Sequence, residues 1–81
     1  MIATQKNIIN LVSWIANVPS TQVQASTDIR EDLSLDSIDF MLFIVRLENF
    51  FNINFSNEEV EAIETVKDAT DYVNRHVVSY S

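Results

Sequence analysis

Ser37-Ile38-Asp39-Phe40-Met41-Leu42-Phe43-Ile44-Val45-Arg46-Leu47-Glu48-Asn49-Phe50-Phe51 is the stretch that decides the fold. Its apolar residues recur at helical spacing, and neither glycine nor proline interrupts it, so it predicts a helix over about 37–51. Phe40, Phe43, Ile44, Leu47, Phe50 and Phe51 share one face, which is assigned to the core. A second apolar strip runs through Ile38, Met41, Leu42 and Val45, leaving only Asp39, Arg46, Glu48, Asn49 and the following Asn52 as polar interruptions. A helix that is apolar nearly all round is normally buried all round. A chain of 81 residues has too little protein to cover it. The second strip is therefore expected to be either a contact surface or extra core under a loop, and contact is the preferred reading.

Three further helical segments flank this one. Over about 2–17, Ile8, Leu11, Val12, Ile15 and Val18 form a stripe opposite Lys6, Asn10, Ser13 and Asn17, with Trp14 at the stripe's edge, where an indole can bury its ring and keep its N–H near water, and Pro19 ending the helix. Ser56-Asn57-Glu58-Glu59 is a capping box opening a short helix over about 57–63. Thr65-Val66-Lys67-Asp68 gives a similar start to a last helix over about 66–77, whose inner stripe is Val66, Ala69, Tyr72, Val73 and Val77. Between the first two helices, Ser20 to Leu35 loses the period. So long a loop needs pinning, and Val23, Ile29, Leu33 and Leu35 are spaced to fold it down, with room for a single helical turn. The expected fold is all-α: one domain over 1–81, a small four-helix bundle of three main helices plus a short third, with a long loop between helices 1 and 2.

Composition removes several functions. With no cysteine, there is neither a disulfide framework nor a thiolate metal site. The net charge of −7 argues against nucleic acid, since Lys6, Arg30, Arg46, Lys67 and Arg75 are scattered where phosphate binding needs a cluster. Zero glycine excludes a phosphate-cradling nucleotide loop. No segment is long enough to span a bilayer and no leader pattern opens the chain, so a soluble, cytoplasmic protein is expected, without membrane insertion.

Catalytic chemistry finds no support. The one histidine, His76, has no recognisable nucleophile beside it in sequence and reads as a solvated or last-turn residue. Asp28, Asp32, Ser34, Asp36 and Asp39 fall into parts of a twelve-residue calcium register, but Arg30 occupies a ligand place and Leu33 stands where the sharp turn needs glycine. No catalytic residue and no metal site is assigned.

What remains is Asp36-Ser37-Ile38-Asp39. Taken alone it reads as a helix start, with Asp36 as the N-cap and Asp39 favouring the positive end of the helix dipole. A hydroxyl in that first turn is nonetheless exposed, and the apolar strip beginning at Ile38 offers a modifying enzyme a surface to dock against. Ser37 is thus the best candidate for a covalent attachment point.

At this point the chain resembles the acyl carrier protein family. The resemblance lies in Glu31-Asp32-Leu33-Ser34-Leu35-Asp36-Ser37-Ile38-Asp39, in Leu47-Glu48-Asn49-Phe50-Phe51-Asn52-Ile53, and in the closing Thr65-Val66-Lys67-Asp68-Ala69-Thr70-Asp71-Tyr72-Val73. It covers about residues 29–74. The serine motif alone is weakly specific; in register with the other two blocks it is strong. The resemblance implies that Ser37 carries a phosphopantetheine arm, transferred from coenzyme A by a separate phosphopantetheinyl transferase. The arm's thiol would hold an acyl, aminoacyl or polyketide intermediate as a thioester. The protein would then be a carrier and not an enzyme, a stand-alone monomer serving an acyl- or aminoacyl-loading ligase and downstream synthases. By position, Asp36 and Asp39 frame the attachment site, and Ile38, Met41, Leu42 and Val45 form the partner contact.

Two departures shape the expected pathway. Ser34 stands where the family often has glycine, and Leu42 replaces an acidic residue common in fatty-acid carriers. Partners reading this helix would meet apolar side chains, which favours a specialised biosynthetic pathway. The competing reading is an unmodified helical adaptor that binds a partner through the second helix, with Ser37 only a cap residue.

Overall fold

The computed structural model describes residues 5–78. Among them are four α-helices, α1 (Gln5–Ala16), α2 (Ser37–Phe51), α3 (Asn57–Ala62) and α4 (Val66–Val78), with a 3₁₀ turn at Ser20–Gln22. This is the expected helical bundle, with α2 beginning and ending where its periodicity placed it. The expected start of α1 at residue 2 lies outside the described residues.

The core forms where three stripes meet. Ile8 and Val12 of α1, Phe40, Phe43, Ile44 and Leu47 of α2, and Val66, Ala69 and Val73 of α4 are all buried in one cluster. Fully burying a side chain of this size stabilises by about 1.5–3 kcal/mol, and each of the three long helices contacts the other two. α3 buries no residue fully and depends on its ends. Ser56 accepts from the Glu59 N–H while the Glu59 carboxylate accepts from the Ser56 N–H, the reciprocal capping box. α4 opens in the same way: Thr65 and Asp68 exchange backbone-to-side-chain hydrogen bonds of 3.1 Å.

The long loop is pinned by more than its apolar anchors. Val23, Ile29 and Leu35 are buried and Leu33 is partly so. The backbone adds an antiparallel bridge between Asp28 and Thr65, with Ile29 N–H donating to Glu64 O at 2.8 Å and Lys67 N–H to Ala25 O at 2.9 Å. The segment thus satisfies buried backbone groups against the α3–α4 link, which apolar spacing alone does not foretell.

Lacking glycine, the chain makes its left-handed turns with Asn17, Ser34 and Asn52, at φ of 57°, 56° and 56°. Asn tolerates this region better than most residues, and Asn52 there caps α2, its N–H donating to Glu48 O.

Three positions differ from expectation. Phe50 is 61% exposed rather than core, because Phe51 takes the inward place and Phe50 packs edge-on against it at 4.7 Å between centroids. Trp14 is 68% exposed, since two residues on from buried Val12 is about 200° round the helix. Its ring lies instead under the Arg46 guanidinium, 5.5 Å away. Ser13, expected outside, is buried with its hydroxyl donating to Asn10 O at 2.9 Å, so the inward polar atom is satisfied.

Candidate functional site

The site begins in the turn before α2. Asp28 Oδ1 accepts from the N–H groups of Arg30 (3.0 Å) and Glu31 (2.8 Å), and Asp32 Oδ2 accepts from Asp28 N–H (2.8 Å). Leu35 N–H closes the turn on Arg30 O at 3.0 Å. The Asp residues that suggested parts of a calcium register are therefore turn-forming groups. No set of three or more His, Cys, Asp or Glu side chains comes together as a metal site among the described residues.

Ser34 adopts its left-handed conformation in this turn. A residue with a Cβ is disfavoured there by roughly 1–2 kcal/mol. The hydrogen-bonded turn and buried Leu35 hold it in place.

Asp36 then takes the N-cap position in extended conformation, and its Oδ1 accepts from Asp39 N–H at 2.8 Å. Phe40 N–H donates to Asp36 O at 2.9 Å, closing the first turn. The cap leaves Ser37 as the first helical residue, exposed to solvent. Asp39 is partly buried while its neighbour Ile38 is 79% exposed. Met41, Leu42 and Val45 are exposed as well, so the second strip is surface and not extra core. The turn periodicity of α2 places Ile38 and Leu42, and Met41 and Val45, on adjacent rows running away from Ser37.

Beside the hydroxyl lies an open groove of about 340 Å³ between α2 and α3. Ser37, Phe40 and Met41 line it from α2, Asn57, Val60 and Glu61 from α3, and Arg30 from the preceding turn. The Arg30 guanidinium lies 4.0 Å over the Phe40 ring. Sequence spacing had no signal for this groove or for Arg30, which tertiary packing of the turn brings to the serine.

His76 takes no part in nucleophile activation here. Its Nε2 lies 2.9 Å and 3.1 Å from the two Glu59 carboxylate oxygens, and its ring packs edge-on against Phe55 at 5.4 Å. It is half-buried and paired, rather than simply solvated. The Ser56 backbone N–H chiefly holds the Glu59 carboxyl below its usual pKa; burial opposes this and His76 adds to it. The geometry around Ser37 therefore presents an exposed alcohol that another protein can reach, and no hydrogen bond to its hydroxyl is made among the described residues.

Comparison with known proteins bears on that exposed alcohol. The family model described as a phosphopantetheine attachment site matches residues 6–73. The chain is 33% identical over 64 residues to an acyl carrier protein of Phytoplasma mali, covering 79% of this chain and 76% of that one. It is 41% identical over 59 residues to one of Rubrobacter xylanophilus, covering 73% of each. The structure of the acyl carrier protein from Enterococcus faecalis superposes with a TM-score of 0.72 at 32% identity, covering 91% of this chain and 99% of that one.

Proposed function

The chain belongs to the acyl carrier protein family, and from that premise we propose that Ser37 is the residue bearing the phosphopantetheine and that the exposed strip of α2 is where partner enzymes dock. Membership establishes that the protein carries acyl groups on covalently attached phosphopantetheine and is not itself an enzyme. The bound group supplies the thiol on which an acyl group rides as a thioester. The observation that carries the assignment is the exposed Ser37 hydroxyl at the capped start of α2, opening onto the groove between α2 and α3.

The residues present fit such a group. An exposed hydroxyl is open to a transferase, the adjoining groove has both polar and apolar walls for an extended amide chain, and Arg30 supplies positive charge near the attachment point. Asp36 keeps the helix start formed, so the tether point is fixed while the hydroxyl stays free. Asp39 contributes its backbone N–H to that cap.

Ile38, Met41, Leu42 and Val45 present apolar surface to the phosphopantetheinyl transferase, a loading ligase and downstream synthases. Glu48, the acidic residue further along α2, accepts from Phe55 N–H at 2.9 Å and is partly buried. Partners therefore meet mainly apolar contacts along this helix, which supports a carrier of acyl, aminoacyl or polyketide intermediates in a specialised biosynthetic pathway of the cytoplasm.

The test is intact mass after incubation with a promiscuous phosphopantetheinyl transferase and coenzyme A. The chain should gain one phosphopantetheine, and Ser37→Ala should gain none. An unmodified wild-type chain favours the adaptor reading, and a modified Ser37→Ala moves the attachment elsewhere.

A further inference from the structure

Arg30 stands out in the groove beside Ser37. Its backbone is fixed at both ends of the residue: the N–H donates to Asp28 Oδ1 at 3.0 Å and the carbonyl accepts from Leu35 N–H at 3.0 Å. Its guanidinium is laid over the buried Phe40 ring at 4.0 Å. Attraction to the aromatic face acts on the charge of the guanidinium and does not consume its N–H donors. No ion pair involves Arg30 among the described residues, although Glu61 lines the same groove. The side chain is therefore a positioned cation with its donors available.

Resting on the assignment of Ser37 as the attachment residue, we propose that Arg30 is the phosphate-binding residue of the site, its guanidinium pairing with the phosphodiester that joins the arm to Ser37. Three features favour this ligand. The phosphodiester would introduce negative charge beside Asp36 and Asp39, where a counter-charge is needed most. The planar fork of arginine matches two phosphate oxygens at once, which a lysine cannot do. Finally, Phe40 and the turn order the long side chain beforehand, so little rotamer freedom is lost on pairing. Phe40 thus has two roles: its ring is core on one side and a platform for Arg30 on the other. Glu61 opposes the pairing and weakens it.

The experiment compares the apo and loaded forms of the whole chain, prepared with transferase and coenzyme A, with loading verified by intact mass. In ¹⁵N-labelled protein the Arg30 Nε–Hε resonance, identified by its loss in Arg30→Gln, should shift on loading, while those of Arg46 and Arg75 stay in place. The ³¹P resonance of the loaded protein should move in Arg30→Gln, with Arg30→Lys between the two, and should move the opposite way in Glu61→Gln. A chain that gains no mass overturns the attachment assignment and this inference with it. A fully loaded chain whose Arg30 resonance does not shift, and whose ³¹P resonance is the same in wild type and Arg30→Gln, overturns the Arg30 role alone.

Discussion

Asp36 is a position where charge and hydrogen-bond acceptance can be separated. Its Oδ1 accepts from Asp39 N–H at 2.8 Å, so Asp36→Ala leaves a first-turn donor without its acceptor. Loss of an N-cap acceptor costs about 1 kcal/mol. Loss of a negative charge at an exposed, solvent-screened helix start adds about 0.3 kcal/mol. The sum of about 1.3 kcal/mol corresponds to a fall in Tm of about 5–10 °C in a domain of this size. Asp36→Asn keeps an acceptor of similar capping strength and loses only the charge, so its Tm should fall by about 1–2 °C. Thermal unfolding followed by far-UV circular dichroism at low and high salt reads both numbers. The Asn deficit should shrink with salt and most of the Ala deficit should remain, because a hydrogen bond is screened far less than an exposed charge. Equal losses in the two variants would mean that charge, not the cap, holds the start of α2. An unchanged Asp36→Ala would mean that the cap is not formed in solution.

Two further outcomes test the starts of α3 and α4 and the surface of α2. Glu59 and Asp68 both titrate below their ordinary values of 4.5 and 3.8; for Asp68, burial pulls upward but the Thr65 and Glu64 backbone N–H groups outweigh it. A depressed folded pKa gives stability present above the unfolded value and lost as pH falls through the folded one. Urea midpoints should therefore drop below about pH 4.5, and Glu59→Gln, which keeps the capping-box geometry, should flatten that drop; an unaltered pH profile would count against the assignment. On α2, Met41→Glu and Val45→Glu replace exposed apolar groups, so stability should change by no more than about 0.5 kcal/mol. The rate of phosphopantetheine transfer should nonetheless fall by about tenfold or more, the equivalent of about 1.4 kcal/mol of lost docking, and undiminished rates in both variants would remove the strip from the docking surface.

The bounds of α2 were legible in the sequence because two local signals coincide there. Asp36 provides a capping side chain, and the apolar period starts immediately after it. The starts of α3 and α4 were legible for the same reason, each carried by a Ser or Thr paired with an acidic residue three positions on. The exposure of Ile38, Met41, Leu42 and Val45 followed from an arithmetic mismatch: the apolar circumference of α2 exceeds what so short a chain can cover. What periodicity could not decide was the inner boundary of an aromatic pair. Phe50 and Phe51 stand three and four residues beyond buried Leu47, both on the inward half of the helix, and only packing selects Phe51. Trp14 followed a similar course: it stood at the edge of the α1 stripe, and packing leaves it exposed beside Arg46.

The groove was illegible for a different reason. Arg30 reaches the Phe40 ring only because two Asp carboxylates fold the preceding turn and the Asp28–Thr65 bridge ties that turn to the α3–α4 link. The Asp contacts are local, but the bridge to Thr65 and the reach of Arg30 to Phe40 have no fixed spacing in sequence. Read in isolation, Arg30 was a misfit in a calcium register; in the fold it is the cation of the groove that also holds Ser37. The acidic residues explain both facts. They organise the backbone that carries Arg30, so the same Asp side chains that mimic a metal loop deliver a positive charge to the site where an anion would be attached.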